Sequence, residues 1–233
     1  MKLFAYIKYF FYLARKWDIK IAKHILLQEV KGEKKYGITT TGADELQSLE
    51  KKGIDIDHAT IYMPASYDLL EEVFERIKNT GHNHFLDIGC GKGRVLSVAA
   101  HHGFNKVTGL DFSRQLCNDA EKNLAATKQA FSNLQYKVIN NDAFYFEIPN
   151  DVDCIFMFNP FDDVILNGVA ENILESFELN PRTITLIYAN PVYKEELLEV
   201  GFKEIYHTQK MIYLEAIILE MKLKEDYFKA ILF

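Results

Sequence analysis

Apolar and polar positions fall into two kinds of block along this 233-residue chain. Short apolar runs at 85–88, 106–111, 135–140, 153–158 and 183–189 read as strands. Between them lie longer stretches with apolar residues three and four apart, at 68–78, 113–129, 164–178 and 193–200, which read as helices. Leu69, Leu70, Val73, Phe74 and Ile77 mark the apolar face of the first of these, and Ser66 is a candidate N-cap for it. Two further runs, Phe202 to Thr208 and Tyr213 to Met221, would close the sheet as an antiparallel pair. Such alternation predicts an α/β fold with a mostly parallel sheet covered on both faces, and in such sheets a ligand sits beyond the carboxyl ends of the strands.

The chain opens on a different pattern. Leu3, Phe4, Ile7, Phe10, Phe11, Ala14, Trp17, Ile21 and Ile25 recur near helical spacing, with Lys and Arg between them. Residues 1–37 hold nine Lys or Arg against three Asp or Glu, and the remaining 196 residues hold 18 against 30. A basic amphipathic N-terminal helical extension over 1–35 is therefore expected, followed by lid or connecting helices over 36–82 and the main α/β body over 83–233. Lys8 and Arg15 interrupt any membrane-spanning length, and no small-residue cleavage site follows. Two readings of the extension stay open: it packs on the body or on a second subunit, or it lies on an anionic membrane surface, a peripheral contact through residues 1–28.

Between the first strand and the helix after it lies Asp87-Ile88-Gly89-Cys90-Gly91-Lys92-Gly93. Three glycines in this place let the backbone turn sharply and approach a ligand closely, and the helix N-terminus offers N–H groups to the same point. Eighteen residues past Gly93, the second strand ends on Asp111, where such folds place an acid for ribose hydroxyls. A nucleoside fits both features. A pyrophosphate would be repelled by Asp87, whereas the ammonium and sulfonium of S-adenosylmethionine would be attracted. Lys92 and Arg94 weaken that distinction if they point inward.

With these residues in view, the sequence resembles the class I S-adenosylmethionine-dependent methyltransferases. The glycine loop, Asp111, the Asn141-Asp142-Ala143 stretch and Asn159-Pro160-Phe161 carry the resemblance. A bacterial group within that family shares Tyr36 to Thr40 (Tyr-Gly-Ile-x-Thr) and Tyr62 to Pro64. The resemblance implies a Rossmann-like seven-stranded sheet with an antiparallel C-terminal strand and S-adenosyl-L-methionine as cofactor. It implies that Asp87, Gly89, Cys90, Gly91 and Gly93 hold the methionine part, that Asp111 takes the ribose, and that Phe112, Asp142 and Ala143 border the adenine. Tyr62 and Tyr67 would line a lid. Asn159, Pro160 and Phe161 resemble the Asn-Pro-Pro-aromatic loop that orients an acceptor nitrogen, with one proline missing and Asp162-Asp163 following. That implies methyl transfer to a nitrogen of a protein side chain or small molecule, with Asp162 or Tyr67 as candidate bases. The alternative is a catalytically silent cofactor-binding module acting through its N-terminal helix.

Composition narrows the picture a little further. A 48% hydrophobic content at this length is enough for one sizeable core. Cys90, Cys117 and Cys154 have no metal-ligand spacing, and neither have the seven histidines, so no metal is expected. An odd number of cysteines outside any framework points to a reducing, cytoplasmic setting. The acidic body argues against a nucleic-acid partner.

Overall fold

The computed structural model describes residues 2–16, 19–41, 64–78, 80–158, 161–210 and 214–222. Within them, seven strands form one sheet: β1 (His84–Ile88), β2 (Lys106–Asp111), β3 (Gln135–Asn140), β4 (Cys154–Phe158), β5 (Ile184–Ala189), β6 (Lys203–Lys210) and β7 (Leu214–Met221). The helices are α1 (Lys2–Lys16), α2 (Ile19–Tyr36), α3 (Tyr67–Ile77), α4 (Arg94–His101), α5 (Arg114–Ala130), α6 (Asp163–Leu179) and α7 (Lys194–Glu199). The strand order is β3-β2-β1-β4-β5-β7-β6. β7 alone runs against its neighbours, pairing antiparallel with both β5 and β6. Strands and helices of the body start and stop within one or two residues of the periodicity reading.

Strand alternation divides the core in two. Phe85 and Phe156 face a cluster with Leu70, Phe74, Leu96 and Leu124 of α3, α4 and α5. Leu86, Ile88, Ile155 and Met157 face the other side, with Leu166, Ile173 and Leu197 of α6 and α7. The central strands are buried on both faces, as parallel strands under helices must be. The order reverses between β1 and β4, so a crevice opens beyond the carboxyl ends of those two strands. The glycine loop leaves β1 there.

The N-terminal extension departs from the single-helix expectation. It is a hairpin of α1 and α2, closed by a cluster of Tyr9, Leu13 and Ala22 and by the Tyr6 hydroxyl donating to Glu33 at 2.6 Å. α2 then packs on the body. Gly32 is required at that crossing, because a Cβ there would lie 2.2 Å from the Tyr67 ring. Ser66 stands at the N-cap of α3 but makes no side-chain cap bond. No helix among the described residues is long and apolar enough to cross a membrane.

Candidate functional site

The turn after β1 is shaped by three glycines with positive φ, 81° at Gly89, 52° at Gly91 and 75° at Gly93. L side chains rarely adopt that region. The loop is tied to β2 by Gly89 and Cys90 N–H groups donating to the Leu110 carbonyl at 2.8 and 2.9 Å. Gly93 then starts α4. The Cys90 thiol turns into the core, where a Cβ on Gly109 would meet its sulfur at 2.8 Å. Cys90 therefore offers a ligand only its backbone, and all three cysteines are buried.

Two acids converge behind this loop. Asp111, at the end of β2, accepts from the Gly91 N–H through Oδ2 and from the Ser113 N–H through Oδ1, both at 2.8 Å. Burial pushes its carboxyl up to about 6, although the two backbone donors pull the other way. Each oxygen carries a second lone pair, which a ribose hydroxyl can use. Asp87 lies fully inside β1, beside Gly109 of β2 and Phe156 of β4. Its Oδ2 is a buried oxygen without a hydrogen-bond partner among the described residues. Burial, with the charge of Asp111 added, holds this carboxyl well above the usual range. A buried carboxyl left unpaired in a folded chain costs stability. Its location behind a ligand loop fits a donor or cation arriving from outside.

The buried cation next to the loop does not answer that need. Arg94 is buried and turned away from the crevice into a second layer. Its Nη1 donates to Glu29 Oε1 at 2.7 Å and its Nη2 to Glu29 Oε2, so α2 clamps the start of α4. Nη1 also donates to the Ala65 carbonyl and Nε to the Thr40 hydroxyl, each at 2.8 Å. The guanidinium stacks over the Tyr67 ring at 4.2 Å. Glu33, one turn after Glu29, accepts from the Thr40 and Thr41 N–H groups at 2.6 and 2.7 Å. Burial alone would raise its carboxyl, but Tyr6 and these threonines hold it below the ordinary value. Asn123 of α5 completes the tie, donating to the Lys92 and Thr39 carbonyls and accepting from the Thr39 N–H.

The Tyr36-to-Thr40 stretch is thus a strap that binds the N-terminal hairpin to the glycine loop. Its partners Glu29, Glu33, Arg94 and Asn123 were missing from the site read in the sequence. The available signal was two acids one turn apart in a helix that is otherwise basic. Tyr67 belongs to this layer, sharing a 3.3 Å hydrogen bond with the Thr40 hydroxyl. Burial raises its own hydroxyl, so a role as a base at the acceptor mouth is not supported.

The remaining sequence candidates line the carboxyl edge of the sheet. Phe112 is half-buried after β2, and its carbonyl accepts from Asn140 at 2.7 Å. Asp142 is exposed, and its Oδ1 closes a local turn by accepting from the Phe144 N–H at 2.9 Å, with Ala143 buried between them. Phe161 packs at the edge of the α6 side of the core. Asp162 is the N-cap of α6, its carboxylate accepting from the Ile165 N–H at 3.0 Å. An acid engaged in capping is a poor general base, so that candidate role is replaced by a structural one. Asn159, Pro160 and Tyr62 lie outside the described residues. Among those that are described, no group of three or more His, Cys, Asp or Glu is placed to hold a metal ion.

This geometry agrees with what the chain is similar to. Solved structures sharing its fold include a ribosomal protein L11 methylase from Lactobacillus delbrueckii subsp. bulgaricus, at 16% identity and TM-score 0.53 over 66% of this chain and 77% of that one. A putative O-methyltransferase from Nostoc punctiforme aligns at 16% identity and TM-score 0.54 over 66% and 56% of the two chains. A putative methyltransferase from Escherichia coli aligns at 14% and 0.52 over 70% and 90%. No curated protein matches in sequence. The family model described as a methyltransferase domain matches residues 85–177, from β1 through most of α6. That match supports a methyltransferase-like domain over this stretch, with S-adenosyl-L-methionine as the cofactor.

Proposed function

We propose that the chain transfers a methyl group from S-adenosyl-L-methionine to a nitrogen of a protein side chain or small molecule. The observation that carries the cofactor half is the unpartnered, buried Oδ2 of Asp87 behind a glycine loop whose one buried cation, Arg94, is engaged with Glu29. A pyrophosphate at this loop would meet the buried Asp87 with no free buried cation among the described residues to offset it; an ammonium group meets the charge it requires. When bound, the cofactor supplies a methyl group already activated on a sulfonium.

The work left to the chain is placement. Gly89, Gly91 and Gly93 admit the methionine part close to backbone, Asp87 receives its ammonium, and Asp111 keeps lone pairs for the ribose. Phe112, Asp142 and Ala143 stand at the adenine end. Following β4 in the sequence, Asn159, Pro160 and Phe161 would orient the acceptor nitrogen and exclude water. Support for that role is the resemblance of the motif and its place after β4, next to β1 in the sheet.

Incubation with methyl-labelled cofactor and cell extract should label one size class of acceptor. With that acceptor, Asn159→Ala should keep cofactor affinity within about a few fold and lower single-turnover rate by about a hundredfold or more. Equal losses in both, with a lower thermal midpoint, would remove Asn159 from the acceptor site.

A further inference from the structure

The hairpin has two unlike sides. Its inner side carries Glu29 and Glu33, both buried and bonded to the strap and to Arg94. They are the only acids in α1 and α2, so no acidic side chain reaches the outer surface of either helix. The outer side of α1 instead exposes Phe4 at 76%, Ile7 at 45% and Phe11 at 66%. These positions are three, four and seven apart and so form one stripe. Lys8 and Arg15 are exposed on the same arc. On α2 the exposed positions include Ile19, Leu27 and Val30, together with Lys23, Lys31 and Lys34. Half of the twelve large hydrophobic side chains exposed among the described residues belong to this hairpin.

We infer that the outer face of the hairpin docks on an anionic lipid surface. Large apolar side chains at helical spacing, interleaved with cations and free of acids, are what an interfacial helix needs: rings enter the acyl boundary while lysines reach the headgroups. A second copy of the chain is the competing occupant. Lysine is depleted from protein–protein interface cores, whereas here lysines are mixed through the apolar positions. The acidic remainder of the chain, 18 basic against 30 acidic residues, would be held off an anionic surface except through this face. The inference does not depend on the identity of the methyl acceptor or on catalysis.

Flotation of the full chain with phosphatidylcholine vesicles, with and without 30% phosphatidylglycerol, tests it. The protein should float with the anionic vesicles and not with the neutral ones, and high salt should release most of it. The triple variant Phe4→Ser, Ile7→Ser, Phe11→Ser should bind at least about tenfold more weakly, with cofactor affinity unchanged and only a small drop in thermal midpoint, since these side chains are largely exposed and the contact of the Phe11 ring with Phe10 is lost. Lys23→Glu with Lys31→Glu and Lys34→Glu should do the same without touching the apolar stripe. Equal flotation with neutral vesicles, or undiminished binding by both variants, would overturn the inference. So would a wild-type dimer in light scattering that the serine variant converts to monomer without any vesicle binding.

Discussion

The two ends of the parallel sheet both bury ionisable groups, and they treat them in opposite ways. At the amino end, His84 bonds to Asp151 at 3.0 Å through Nδ1 and to the Thr108 hydroxyl at 2.8 Å through Nε2, while Lys106 also reaches Asp151. Slight burial would raise the Asp151 carboxyl, but these partners hold it down to about 2. At the carboxyl end, burial pushes Asp111 up to about 6, and burial with the charge of Asp111 holds Asp87 well above its ordinary value, with one oxygen of Asp87 unpartnered among the described residues. The groups around His84 close on one another as a structural network, although the buried His82 Nε2 just before β1 also finds no partner among the described residues; the pair of acids at the other end is held in a state that a ligand completes. The difference locates function without reference to any fold relative, because a folded chain has no reason of its own to keep two neighbouring acids dry and short of a cation.

The largest effect should come from the layer that keeps Arg94 away from the crevice. Arg94→Met would leave Glu29 as a buried charge without its guanidinium and should cost about 3–5 kcal/mol in denaturant unfolding. A loss under about 1 kcal/mol would mean the clamp is not the packed contact described. Next, Asp111→Asn should weaken S-adenosylmethionine binding by about a hundredfold, the size of two lost charge-assisted bonds, read by calorimetry. Asp87→Asn should weaken binding by about tenfold while leaving the thermal midpoint of the free protein at pH 8 unchanged or higher, since it removes a buried acid that the free fold does not satisfy. A lower midpoint with unaltered affinity would place Asp87 in the structural class instead.

Asp151→Asn at the other end should do the reverse and do less. The side chain is 56% exposed, so solvent screening limits the loss to about 1 kcal/mol or below, and cofactor affinity should not change. The pH dependence has opposite sign at the two ends. Asp151, lowered on folding, contributes stability above pH ~4 that is lost as pH falls toward about 2. Asp111, raised on folding, makes the free protein lose stability as pH climbs from ~4 to about 6.

Most of the sheet was legible because β1, β4 and β5 are nearly continuous apolar runs and the helices keep one apolar stripe, a local pattern that packing did not override. The glycine loop and Asp111 were legible because their chemistry is fixed by short spacing. The hairpin was not: the apolar spacing continues past Lys16, and nothing local says that α2 begins anew at Ile19 or that Phe4 and Phe11 face outward. Arg94 could not be oriented from sequence, since Glu29 is 65 residues away and Thr40 is 54. Asp162 was read as a candidate base although an acid just before an apolar helix is equally the pattern of an N-cap.

The central claim is that the carboxyl end is completed by a cationic nucleoside. Calorimetric titration of the wild-type chain with S-adenosylmethionine from pH 5 to pH 7.5, in buffers of different ionisation heat, tests it most directly. The account predicts one-site binding that tightens as pH rises through about 6, with proton release at the low end of the range, and no competition from NAD. Affinity that stays flat across this window without proton release, or displacement of S-adenosylmethionine by NAD, would contradict it.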